Sequence, residues 1–132
     1  MARVSRYITL DIVVKTNGDC DSIAKAFNES AGYFVQKHQW NDYKWYLNIS
    51  GGGAGNASEA IEKHCRYIAA FEGPAKEAWD AAEVKEFFIG YEGGESPTCF
   101  DSHISAQGIA MAAQLGAGIG IAIYPATEEE HN

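Results

Sequence analysis

No apolar run long enough to cross a bilayer as a helix, about 18 residues, occurs in this chain. The N-terminal "MARVSRYITLDIVV" sets two arginines before an apolar stretch, as a signal peptide would. Arg6, Thr9 and Asp11 interrupt that stretch, and no small-residue cleavage site follows at the right place. The expectation is a cytoplasmic protein with no membrane partner. Cysteine is scarce as well. Cys20, Cys65 and Cys99 are odd in number and lack paired spacing, which argues against a disulfide framework.

Basic residues are the third shortage. Ten lysines and arginines face 18 carboxylates, for a formal net charge of −8, and the ten are scattered. A nucleic-acid binder needs a basic stripe to neutralise phosphates, so no nucleic acid is expected as a partner. An acidic surface suits a basic protein partner instead, through electrostatic steering.

What is present is a core's worth of apolar residues, 46% of 132, enough for one domain without covalent staples. "RVSRYITLDIVVK" alternates Val4, Ile8, Leu10, Ile12 and Val14 against Ser5, Tyr7, Thr9 and Asp11, with Arg6 the one lapse on the apolar side. Such alternation is a strand with one face on the core. A short helix follows, near Asp21 to Asn28. Next come two aromatic-rich runs, Tyr33–Trp40 and Tyr43–Ile49, which flank Asn41-Asp42 as a hairpin with a two-residue turn would.

Asn56 with Glu59 forms a loose capping box ahead of Ile61, His64, Cys65 and Ile68 at helical spacing, and Gly73-Pro74 ends that helix and opens another. "EVKEFFIGYE" is a strand. Ser105 is an N-cap, with Ile104 and Ile109 at the two positions of a hydrophobic staple. "GIGIAIYP" puts Ile119, Ile121 and Ile123 on one strand face and Gly118, Gly120 and Ala122 on the other. Small residues there let something approach the sheet closely.

The order β-α-β-β-α-α-β-α-β, without strict alternation, implies the α+β class. The expectation is one domain over residues 1–125, a mainly antiparallel sheet of about five strands with three or four helices packed on one face. Residues 126–132 read as a disordered acidic tail.

One segment carries a resemblance. "FFIGYEGGESPTCFDSHISAQGIAMAAQLGAGIGIAIYP", Phe87 to Pro125, resembles the end of the bacterial domain-of-unknown-function family 4279 in its strand, loop and helix. The Leu115-Gly116-Ala117 turn and the closing strand ending in Tyr124 are similar too, and "YKWYLNIS" sits where that family carries a tryptophan. The resemblance implies an α+β fold in a bacterial protein and brings no catalytic residues with it.

Few residues look chemical. "SGGGAGNASE" fails as a Walker loop, because Asn56 stands where the second glycine belongs and no lysine follows until Lys63. It reads as a flexible strand-to-helix connection. His64 and Cys65 are adjacent rather than three or four apart, so they do not aim two helical ligands at one ion. No metal, cofactor or catalytic residue is assigned. Cys99 with His103, near Asp101, is the nearest thing to a nucleophile pair.

The aromatic hairpin weighs more. One of its faces must fill the core, and the other exposes Phe34, His38, Trp40 and Tyr46 as partner-binding candidates. The leading expectation is therefore a small protein-binding domain without catalysis, an immunity or adaptor protein covering a basic partner. The alternative is a small-molecule binder or minor enzyme with a pocket beside the C-terminal strand, at Cys99, His103, Gly118 and Gly120, with His38 near its mouth. A homodimer through an edge strand is a further expectation.

Overall fold

The structure, a computed structural model, describes residues 4–30, 32–39, 42–51, 55–96 and 99–125. Its elements are β1 (Arg6–Thr16), α1 (Cys20–Asn28), β2 (Tyr33–His38), β3 (Trp45–Gly51), α2 (Ala57–Ala69), α3 (Gly73–Ala81), β4 (Val84–Gly93), α4 (Ala106–Gln114) and β5 (Gly118–Pro125). The strands form one sheet in the order β2-β3-β1-β4-β5. Every junction is antiparallel except β4 with β5, whose parallel pairing requires the crossover that α4 supplies. The chain is α+β, with one mainly antiparallel five-stranded sheet and four helices among the described residues.

The core lies on one side of the sheet. Leu10, Ile12 and Val14 of β1, Leu47 and Ile49 of β3, and Phe87 and Ile89 of β4 point into it. Ile23 and Phe27 of α1, Ile61, Cys65 and Ile68 of α2, Trp79 of α3 and Ala112 of α4 meet them there. All four helices thus cover the same face. Among the described residues the opposite face carries no helix, and that asymmetry positions the candidate site.

Arg6, the lapse in the alternation of β1, has a structural reason. The register of β1 against β4 slips between Tyr7 and Thr9, a bulge that leaves Ile8 without a partner. The slip exchanges the faces of the residues before it. Tyr7 turns to the core and meets Tyr91 edge-on, while Arg6 turns to the open face and bonds Glu92 at 3.1 Å. Val4 and Ile8, expected inside, are exposed.

The hairpin also departs from expectation. His38 pairs with Tyr46, so residues 39–45 lie between the paired positions and the connection is longer than two residues. The Lys44 N–H donates to the Asn17 side chain at 2.8 Å, tying this loop to the β1–α1 turn rather than closing a tight hairpin. Trp40 and Asn41 lie outside the described residues.

Helix ends follow the sequence closely. Asp19, Asn56 and Ser105 each accept from a backbone N–H of the first turn of α1, α2 and α4. Glu59 reaches the Gly55 N–H at 3.3 Å, one residue before its expected partner. Gly116, at φ +73, closes α4, and the Ala117 N–H reaches back to the Ala112 carbonyl at 2.9 Å, a Schellman-type end. The expected staple is not formed in full, since Ile104 packs on the core but Ile109 stays exposed.

Candidate functional site

The open sheet face is where the chain's unexplained side chains gather. Strand alternation alone sends Phe34, Gln36 and His38 of β2 and Tyr46, Asn48 and Ser50 of β3 to this side, since they are cross-strand partners of one another. Asp11, Val13 and Lys15 of β1, and Glu86, Phe88, Gly90 and Glu92 of β4, continue the surface. Gly118, Gly120, Ala122 and Tyr124 of β5 finish it.

Near its centre is a depression of about 190 Å³ lined by Thr9, Asp11, Val13, Tyr46, Asn48, Phe88, Gly90, Ala122 and Tyr124. Asp11 occupies the middle strand of the sheet, so neighbouring strands flank it on both sides and its carboxylate is partly shut off from water. That desolvation raises its pKa above the usual aspartate value, and a hydrogen bond from Asn48 offsets it in part. The Asp11 carboxylate can hold a cation by charge, beside Phe88 and Tyr124, while the Tyr46 ring already lies under the chain's own Lys15, whose Nζ is 5.9 Å from the ring centroid.

The glycines of β5 have an internal use. A Cβ at Gly120 would stand 2.8 Å from the Phe88 ring, so what approaches the sheet closely here is the chain's own phenylalanine. The Tyr124 ring lies in the same way over Gly90, at 3.6 Å from the place of a Cβ.

A second depression, about 360 Å³, lies beside the C-terminal strand, at the ends of β4 and β5. Tyr91, Phe100, Ser102, Ile121 and Ile123 form most of its wall, and the Tyr91 hydroxyl donates to Ser102 at 2.7 Å.

The sequence-derived candidates are distributed as follows. Phe34, His38 and Tyr46 share the open face, with Phe34 62% exposed and the His38 and Tyr46 rings 6.2 Å apart. Trp40 is outside the described residues. Gly118 and Gly120 lie on that same face. Cys99 and His103 stand exposed in the loop after β4 and line neither depression, although their neighbours Phe100 and Ser102 wall the larger one. The structure therefore does not gather Cys99, His103, Gly118 and Gly120 into one pocket. Asp11, Asn48, Phe88 and Tyr124 escaped the sequence reading. The available signal was a carboxylate in the middle of the alternating first strand, on the side that alternation turns away from the core.

Buried groups under the sheet serve the core. His64 is fully buried, its Nδ1 2.8 Å from the Tyr33 hydroxyl and its ring stacked on Phe87. Burial lowers its pKa to about 4, so it is neutral at physiological pH. Burial pushes the Cys65 thiol up to about 11, which removes its nucleophilic character. Among the described residues, no three His, Cys, Asp or Glu side chains stand together as a metal site. No helix among them is long and apolar enough to cross a membrane.

Fold and site define a class: an α+β protein with helices on one side of a five-stranded sheet and, on the other, a polar and aromatic face that no helix covers among the described residues. No protein-family model, curated protein or solved structure matches the chain.

Proposed function

We propose that this protein is a non-catalytic binding domain that docks a basic segment of a partner protein on its open sheet face, in the manner of an immunity or adaptor protein. The observation that carries the reading is the Asp11 depression. Its volume of about 190 Å³ falls below the roughly 300–1,000 Å³ of pockets that enclose drug-sized ligands. It suits the end of one lysine or arginine side chain, inserted from a partner that rests on the surrounding aromatics. Tyr46 of β3 lines the depression, Phe34 and His38 lie beyond it on β2, and such aromatic side chains are of the kind that anchor interfaces.

Charge favours the same partner. The chain's net −8 steers a basic protein towards it, and the partly buried Asp11 gives the bound state its charge-assisted bond. A cytoplasmic setting belongs to this reading, supported by Cys20, Cys65 and Cys99 all being free. The resemblance to family 4279 is part of the proposal in layout only and adds no chemistry.

The test is capture from native lysate by the wild type and by a folded Asp11→Asn, Tyr46→Ala variant side by side. A stoichiometric basic protein held by the first and lost by the second supports the reading. A partner retained equally by both sinks it. The second reading, a small apolar ligand, rests on the larger depression beside β5, whose volume and apolar walls fit one. Native mass spectrometry showing a bound small molecule and no protein partner would favour it.

A further inference from the structure

The two edges of the sheet are unlike. β2 is six residues long and carries Lys37, held at 3.0 Å from Asp21, and such short, charged edges resist pairing with another chain. β5 has none of these devices. Its eight residues "GIGIAIYP" include no charged side chain and no bulge, and proline stands only at the last position. Among the described residues, β4 is its sole strand partner. On the helix side, Ile119, Ile121 and Ile123 are 38%, 62% and 71% exposed. Three isoleucines in a row at an unpaired edge are an interaction surface.

We propose that β5 pairs with β5 of a second copy, antiparallel across a two-fold axis at Ile121, so that the two sheets become one of ten strands. The strand is self-complementary in that register. Ile121 meets its own equivalent and Ile119 faces Ile123 on the helix side, which covers the ridge in both copies. On the open side Gly120 faces Ala122. Tyr124, the one large side chain there, faces Gly118, and its ring already leans over Gly90 of its own copy. No side chain on the strand blocks the approach.

Charge selects a second copy at this site over the basic partner of the open face. Two chains of net −8 repel, so they can associate only where the contact itself is neutral, and β5 is the edge that lacks charge. The consequence is an opposite salt dependence. Screening weakens binding of a basic segment to the open face but strengthens this pairing. The two associations are thereby separable in one protein, and either can fail without the other.

Sedimentation of the full chain from micromolar to millimolar concentration, at low and high salt, tests this. The expected result is a mass rising to twice 14.3 kDa, at lower concentration when salt is high. Ile121→Lys, at an exposed position, is expected to stay monomeric with unchanged circular dichroism and melting. A second variant pair reports the register. In a Cys99→Ser background, Ile121→Cys is expected to form a disulfide-linked dimer under mild oxidation, and Phe34→Cys, on the other edge, is not. A wild type that stays monomeric throughout overturns the proposal, including one that binds an apolar dye at the ridge instead. So does an Ile121→Lys variant as dimeric as the wild type, or cross-linking through position 34 in place of 121.

Discussion

The outer end of the Phe88 ring lies over Gly120, so near that three of its carbons would stand 2.8–2.9 Å from a Cβ at that position. The pairing of β4 with β5 puts these two residues side by side on the open face. Glycine in β5 is therefore the seat of a ring that forms one wall of the Asp11 depression. Gly120→Ala is expected to drive the ring off its seat into that depression, at a cost of about 1–3 kcal/mol from overpacking. Thermal melting measures the cost. An unchanged melting temperature would mean that the ring does not rest there.

Asp11 is held at a cost to the fold. Because its pKa is raised in the folded protein, the folded state prefers the protonated acid more than the unfolded chain does. The ionised carboxylate therefore detracts from stability at neutral pH, and the loss is recovered as pH falls through the raised pKa. Asp11→Asn removes the ionisation with little change of shape. It is expected to melt at the same temperature as the wild type or higher at neutral pH, with any advantage shrinking under acid. Melting curves of both proteins across pH check this. A variant much less stable at neutral pH would make Asp11 a structural residue.

His64 has the opposite consequence. Its pKa in the fold is about 4, against about 6.5 for a free histidine. Stability is whole above the higher value and is lost as pH falls from there through the lower one, since only the unfolded chain takes up the proton. The loss amounts to roughly 3 kcal/mol at most. His64→Leu is expected to flatten the stability profile over that window while forfeiting the Tyr33 bond. Urea denaturation at several pH values measures it, and a variant profile as steep as the wild type's would assign the acid sensitivity elsewhere.

The bulge in β1 makes an ordering testable. Ile8→Ser, at an exposed residue, is expected to change stability by less than about 0.5 kcal/mol. Leu10→Ala, two residues on and buried, is expected to cost about 2–5 kcal/mol. Equal costs at the two positions would mean that the alternation of β1 runs unbroken and Ile8 is inside.

Much of this was legible in the chain because it is local. The alternation of β1 from Leu10 onward, the faces of β3 and β5, and the caps at Asn56 and Ser105 depend on neighbours a few residues away. The faces of Arg6 and Tyr7 were not legible, since the bulge arises from pairing with Tyr91 and Glu92 far along the chain. The site was only half legible for the same reason. Phe34, His38 and Tyr46 belong to neighbouring strands and could be grouped by periodicity. Asp11 joins Phe88 and Tyr124 only through the order β1-β4-β5, and strand order is a property of the whole sheet.

The central claim is that the open face takes a cationic side chain at Asp11. The direct measurement is a titration of isotope-labelled protein with a short peptide rich in lysine and arginine, followed by amide chemical shifts, with an acidic peptide as control. The account predicts shifts gathered at Thr9, Asp11, Tyr46, Asn48, Phe88 and Ala122 that fade with salt. Asp11→Asn should weaken binding about tenfold or more, as loss of a charge-assisted bond of about 1.5–3 kcal/mol requires. Shifts spread over the helical face, or an affinity unchanged by Asp11→Asn, would contradict it.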